Sequence, residues 1–175
     1  MSDNKTTLLE IQNLAVEFHT DDGIVKAVNG ISYDVPAGHA IGIVGESGSG
    51  KSVSQLAVMR LIARPAGRIS QGQVLFEGTD LLDLDDSEMR HIRGNRIAMI
   101  FQDPMNSLNP VYTIGKQIGE SLKLHKGLTD DEASARAVEL LDLVGIPSPE
   151  DRINDYPHQL SGGMQQRAMI AMAIS

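Results

Sequence analysis

The sequence predicts an α/β core carrying a helical insertion, and three observations predict it. Short stretches of period-two hydrophobicity fill the first third of the chain. A glycine-rich loop then joins a short apolar run to an amphipathic helical pattern, and from about residue 113 onward the apolar spacing becomes helical throughout.

Leu14, Val16 and Phe18 alternate with Ala15 and Glu17, and Ile31, Tyr33 and Val35 repeat that period before the turn Pro36-Ala37-Gly38. Ala40 to Val44 is an apolar run flanked by polar and glycine residues, the pattern of a strand buried on both faces. After Gly50 the period changes, and Val53, Leu56, Ala57 and Leu61 share one helical face until Pro65. Gln73 to Phe76 and Arg96 to Phe101 are two further predicted strands. Thr113 caps a helix with Ile114, Ile118 and Leu122 inward. Thr129-Asp130-Asp131-Glu132 is a capping box heading a helix with Ala133, Ala137, Leu140, Leu141 and Val144 inward, and Gly145 ends it. Pro147 and Pro149 mark a turn, and a last helix from Gly163 is expected to run off the end.

Composition narrows the function classes. Fifteen Lys and Arg against 23 Asp and Glu leave a net charge of −8, which argues against a general nucleic-acid binder. The absence of cysteine excludes disulfides, thiol chemistry and Cys-based metal sites. The longest apolar run, Ala168 to Ile174, has seven residues, far short of a spanning helix. The start, MSDNKTTLLEIQ, lacks the basic and apolar regions of a secretory signal, so an intracellular chain is expected.

The strongest motif is Gly45-Glu46-Ser47-Gly48-Ser49-Gly50-Lys51-Ser52, which matches G-x-x-x-x-G-K-[S/T]. Glycines let the backbone curl so that successive amides face phosphate oxygens, and a following helix adds its positive dipole end. Lys51 is expected over the β- and γ-phosphates, and the Ser52 hydroxyl on Mg²⁺. A second candidate anion site is Leu160-Ser161-Gly162-Gly163-Met164-Gln165-Gln166-Arg167, which puts Ser-Gly-Gly at the head of a helix.

With both motifs in hand, the chain resembles the ATP-binding subunits of ABC transporters. The oligopeptide/dipeptide importer branch is the nearest in pattern, through Ile97-Ala98-Met99-Ile100-Phe101-Gln102-Asp103-Pro104-Met105-Asn106-Ser107-Leu108-Asn109-Pro110 and Tyr156-Pro157-His158-Gln159. Met164 stands where many members have Gln; this branch commonly carries Met there.

The resemblance implies a phosphate-loop NTPase core of ABC type with an N-terminal antiparallel β subdomain and a helical subdomain. It places the β subdomain and phosphate-loop part of the core at 1–103, the helical subdomain at 104–160 and the start of the signature helix at 161–175. It implies ATP and Mg²⁺ as cofactors. Gly45 to Ser52 would bind ATP, with Lys51 and Gln102 as the catalytic candidates and Ser52 and Gln102 on Mg²⁺. Ser161, Gly162 and Gly163 would meet the γ-phosphate held by the opposing subunit of a head-to-tail dimer. Phe18 is the candidate for stacking on adenine, with His19 and Tyr33 behind it; a core-facing strand residue is the open alternative for Phe18. The implied partners are two polytopic membrane permease subunits, a second ATP-binding subunit (identical or paralogous) and, indirectly, a substrate-binding protein. The implied work is peptide import, at the cytoplasmic face of a bacterial inner membrane. A non-transport ABC ATPase and a catalytically incomplete nucleotide-binding remnant are the alternatives.

The family pattern continues past the signature helix with an apolar strand ending in Asp-Glu and then a histidine, and no residue here fills those roles. The chain is therefore expected to be the N-terminal part of a longer subunit, truncated before that Walker B strand and poorly active alone. Its neighbouring strands and Met169–Ile174 are expected to lie uncovered. The five histidines have no metal-ligand spacing. Asp80, Asp83, Asp85 and Asp86 fit caps better than a calcium loop, and Met164, Met169 and Met172 fit packing.

Overall fold

The computed structural model describes residues 7–103 and 107–175. Chain contacts divide it into two compact units, 1–89 and 90–175. The residues before Thr7, and Pro104-Met105-Asn106 with the expected start of the helical subdomain, lie outside the described residues.

The first unit is built on a four-stranded sheet of order β2-β1-β3-β4, antiparallel throughout. Its strands are β1 (Thr7–Thr20), β2 (Gly23–Pro36), β3 (Gly67–Phe76) and β4 (Thr79–Asp80). The turn between β1 and β2 is held by the Thr20 hydroxyl donating to the Gly23 carbonyl at 2.9 Å. The pairing slips between Ile11 and Leu14 on one side and between Gln12 and Ala15 on the other, where Asn13 adopts φ 47°. This bulge presses β1 onto β3 so closely that a Cβ at Gly72 would lie 2.6 Å from the Gln12 carbonyl oxygen. Leu14 and Val16 are buried as the alternation predicts, with Ile11, Val74 and Leu81 beside them in the core. Phe18 is only half-buried.

Helix α1 (Lys51–Val58) packs on β1 and β2 through Ala57 and Val58. It is shorter than predicted. Arg60 leaves it in the left-handed region at φ 52°, so Leu61 falls off the helical face and is exposed. The guanidinium of Arg60 then caps the carbonyls of Leu81 and Leu84. The acidic cluster acts as caps, as the sequence suggests. Asp80 accepts from the Val74 and Leu82 amides, and Asp85 forms a reciprocal cap with Glu88 at the head of α2 (Asp86–Ile92).

Two predicted strands do not form. Ala40 to Val44 makes no sheet pairing, and Ile41, Ile43 and Val44 are exposed, Val44 by 93%. Arg96 to Phe101 contributes one isolated bridge, Arg93 with Ile97, and leaves Ile100 and Phe101 exposed. A strand buried on both faces needs a hydrogen-bonded neighbour on at least one edge, and the described residues offer neither segment one.

The second unit is helical: α3 (Ile114–Lys126), α4 (Asp130–Leu143), α5 (Pro149–Arg152), a 3-10 turn (Pro157–Gln159) and α6 (Gly162–Ala173). The predicted caps are present. The Thr113 hydroxyl accepts from the Lys116 amide, and Thr129 and Glu132 close a full capping box. One core joins Ile114, Ile118 and Leu122 of α3, Ala137, Leu140 and Leu141 of α4, and Ala168, Met169 and Ala171 of α6. Each fully buried Leu or Ile there stabilises by about 1.5–3 kcal/mol. The last helix extends to Ala173, two residues before the end of the sequence. Met169 and Ala171 are covered, against expectation, because α3 and α4 pack on α6; only Ile174 of that stretch is exposed. Between α5 and α3 the chain is strapped down: the Ile114 and Gly115 amides donate to the Asp155 and Ile153 carbonyls at 2.9 and 2.8 Å.

Candidate functional site

Residues 45–50 turn tightly between the extended segment and α1. Gly48 and Gly50 adopt φ 81° and 88°, a region that only glycine enters freely. Gly50 is also the N-cap of α1, and no side chain caps that end. A Cβ at Gly50 would stand 2.3 Å from the Ala27 carbonyl oxygen, so the loop is seated against β2. The loop also closes on itself. The Ser49 amide donates to the Glu46 carbonyl at 3.2 Å, and a Cβ at Gly45 would lie 2.7 Å from Ser49 Oγ.

Lys51, first residue of α1, turns back into this ring. Its Nζ donates to the Gly45 carbonyl at 2.7 Å, to the Glu46 carbonyl at 2.6 Å and to Ser49 Oγ at 3.4 Å. All three ammonium donors are thus engaged by the loop that wraps it. The charge, the free first-turn amides and the positive end of the helix dipole coincide, and Glu46, Ser47, Gly48, Ser49 and Ser52 all face solvent. Such a cradle suits a polyphosphate. The Ser52 hydroxyl makes no hydrogen bond with the described residues. No group of three or more His, Cys, Asp or Glu that could hold a metal exists among the described residues. A divalent ion here would therefore rest mainly on phosphate oxygens and water, which suits Mg²⁺.

The second candidate anion site is the head of α6. Ser161 Oγ accepts from the Met164 amide at 3.4 Å, which leaves its hydroxyl proton free to donate outward. Gly162 and Gly163 are exposed, and a Cβ on either would meet nothing within 4 Å. Packing within the chain therefore does not require them to be glycine. Leu160, just before, is buried and anchors the approach.

Phe18 pairs with Val25 and Gly67, and a Cβ at Gly67 would come within 2.8 Å of Phe18 Cε1, so the ring edge covers that backbone. His19 is exposed, with its amide donating to the Ala66 carbonyl at 2.8 Å. The Tyr33 hydroxyl accepts from Gln55 at 3.4 Å. Gln102 is exposed in the second unit and does not end a regular strand.

Two buried glutamines escaped the sequence reading. Gln117 and Gln165 are 7% and 8% exposed. Gln117 accepts from the Asn109 amide at 2.8 Å and donates to the Asn109 and Tyr112 carbonyls. Gln165 donates to the Pro157 and Leu160 carbonyls. Each lies four residues after a hydroxyl N-cap, Thr113 or Ser161, and that spacing was the one available signal.

Comparison with known proteins agrees with this geometry. The chain is 52% identical over 170 residues to the oligopeptide transport ATP-binding protein OppD of Bacillus subtilis, covering 97% of this chain and 48% of the relative. It is 58% identical over 168 residues to the dipeptide transport ATP-binding protein DppD of Haemophilus influenzae, covering 96% and 51%. The chain thus spans about half the length of the curated relatives it matches. Among solved structures it resembles the dimeric ABC transporter cassette MJ0796, with a TM-score of 0.82 at 28% identity over 95% of this chain and 68% of that one. A post-hydrolysis state of that cassette, bound to ADP and Pi, fits with a TM-score of 0.83 at the same identity and coverage. With the ABC transporter family model matching residues 28–175, this chain belongs to the ABC transporter family.

Proposed function

We propose that this chain is the nucleotide-binding part of an ATPase subunit that drives import of di- or oligopeptides. The observation that carries the reading is the Gly45–Ser52 loop folded around Lys51 and seated on β2, together with relatives named for peptide transport. ATP is the nucleotide, and its β- and γ-phosphates take the Lys51 donors from the Gly45 and Glu46 carbonyls. Ser52 and Gln102 would hold Mg²⁺, which would neutralise phosphate charge there. Gln102 also orients the attacking water. Phe18 stacks on adenine.

Ser161, Gly162 and Gly163 meet the γ-phosphate held by a second ATP-binding subunit in a head-to-tail dimer. Two membrane permease subunits and, through them, a substrate-binding protein complete the assembly, at the cytoplasmic face of an inner membrane and without nucleic acid. No helix among the described residues is long and apolar enough to cross a membrane, which supports peripheral attachment. The β subdomain and phosphate-loop part of the core takes in residues 1–103, the helical subdomain 104–160, and the signature helix starts at 161.

The test is reconstitution of the intact subunit with its membrane partners in vesicles. ATP-dependent accumulation of a labelled peptide is expected; ATP hydrolysis with no peptide accumulation would overturn the transport reading.

A further inference from the structure

We infer that Gln165 is the positioning residue for the Ser161-Gly162-Gly163 head of α6. Its side chain is buried, folded back along the helix as its rotamer preference dictates. Nε2 donates to the Pro157 carbonyl at 2.7 Å and to the Leu160 carbonyl at 3.3 Å, while its own amide donates to the Ser161 carbonyl at 2.9 Å. One residue thus grips the approach to Ser161 at three carbonyls. Buried Leu160 and the Ser161 cap also hold this head, but Ser161, Gly162 and Gly163 are themselves exposed and the two glycines have no near neighbours.

Stability alone does not select glutamine here. Gln165 Oε1 is buried and has no hydrogen-bond partner, a cost that an apolar side chain of similar volume would avoid. What the amide adds is geometric: it sets the direction of the Ser161 hydroxyl and the first-turn amides. The inference rests on the reading that this head contacts the γ-phosphate of the opposing subunit. There, small misplacements of a donor weaken charge stabilisation steeply.

The test compares S161A, Q165M and the double variant in the intact subunit assembled with its partners. Q165M relieves the unpartnered Oε1 but loses the bonds to the Pro157 and Leu160 carbonyls, and is expected to stay folded and melt about 2–4 °C below the parent. It should bind a fluorescent ATP analogue at its own phosphate loop unchanged, yet turn over roughly tenfold more slowly, the loss given by about 1.4 kcal/mol. The double variant should be no slower than S161A, because both changes act on one group. An impaired S161A beside a fully active Q165M, or losses that multiply in the double variant, overturns the role of Gln165 alone. A fully active S161A overturns the phosphate contact and the role of Gln165 with it. If Q165M does not fold, Q165N, which keeps a neutral amide one methylene too short to reach both carbonyls, serves in the same comparison.

Discussion

The carbonyl of Ala27 and the α-carbon of Gly50 approach so closely that a single added methyl would stand 2.3 Å from that oxygen. The Gly45–Ser52 loop is therefore registered to β2 by a steric contact. Gly50→Ala combines this clash with a left-handed φ of 88°. It should cost about 2–4 kcal/mol of stability and abolish nucleotide binding. Thermal unfolding and nucleotide titration of the same preparation check both effects. Gly163→Ala is the contrasting case, since its Cβ meets nothing within 4 Å, and it should leave stability within about 0.5 kcal/mol.

Lys51 should separate binding from folding. Its three bonds go to its own loop, whose residues 45–49 face solvent. Lys51→Ala is thus expected to weaken nucleotide binding at least tenfold with a small change in melting temperature. Lys51→Arg should not rescue it, because a planar guanidinium cannot occupy the ring as a compact ammonium does.

Gln117 presents the opposite pattern. Buried and fully bonded to Asn109 and Tyr112, it fixes the loop ahead of α3. Gln117→Ala removes the partner of the Asn109 amide and of the Tyr112 carbonyl and opens a gap. A loss of about 2 kcal/mol in denaturant unfolding is expected, with nucleotide binding retained.

Acid should loosen α4 at its head. The hydrogen bonds from the Thr129 amide and, next, its hydroxyl hold the Glu132 carboxyl below the ordinary glutamate value of 4.5. For a depressed carboxyl the stabilisation is complete above 4.5 and fades as pH falls through the lowered value. The thermal midpoint of the parent should therefore approach that of Glu132→Gln as pH drops below 4.5. A gap that is constant with pH would contradict the assignment.

The features legible in the sequence were the ones built locally. Thr113, the Thr129–Glu132 box and Ser161 each cap a helix by bonds spanning three residues, so their spacing alone announces them. The tight turn through Gly48 and Gly50 is legible for the same reason. The Ala40–Val44 and Arg96–Phe101 strands were misread because an apolar run states what a segment would bury, not whether a neighbouring strand is there to pair with it. The bulge at Asn13 and the shortening of α1 at Arg60 both depend on left-handed backbone at non-glycine residues, which composition does not mark. Gln117 and Gln165 were passed over because glutamine is usually a surface residue; their burial follows from carbonyls that only the folded loops bring within reach.

The most direct test of the central claim is equilibrium titration of ATP and Mg²⁺ into the intact subunit and its Lys51→Ala variant. Saturable binding at one site per subunit, lost in the variant while its fold persists, is the result the Gly45–Ser52 cradle predicts. Undiminished binding by a folded Lys51→Ala subunit would contradict it and place the nucleotide elsewhere.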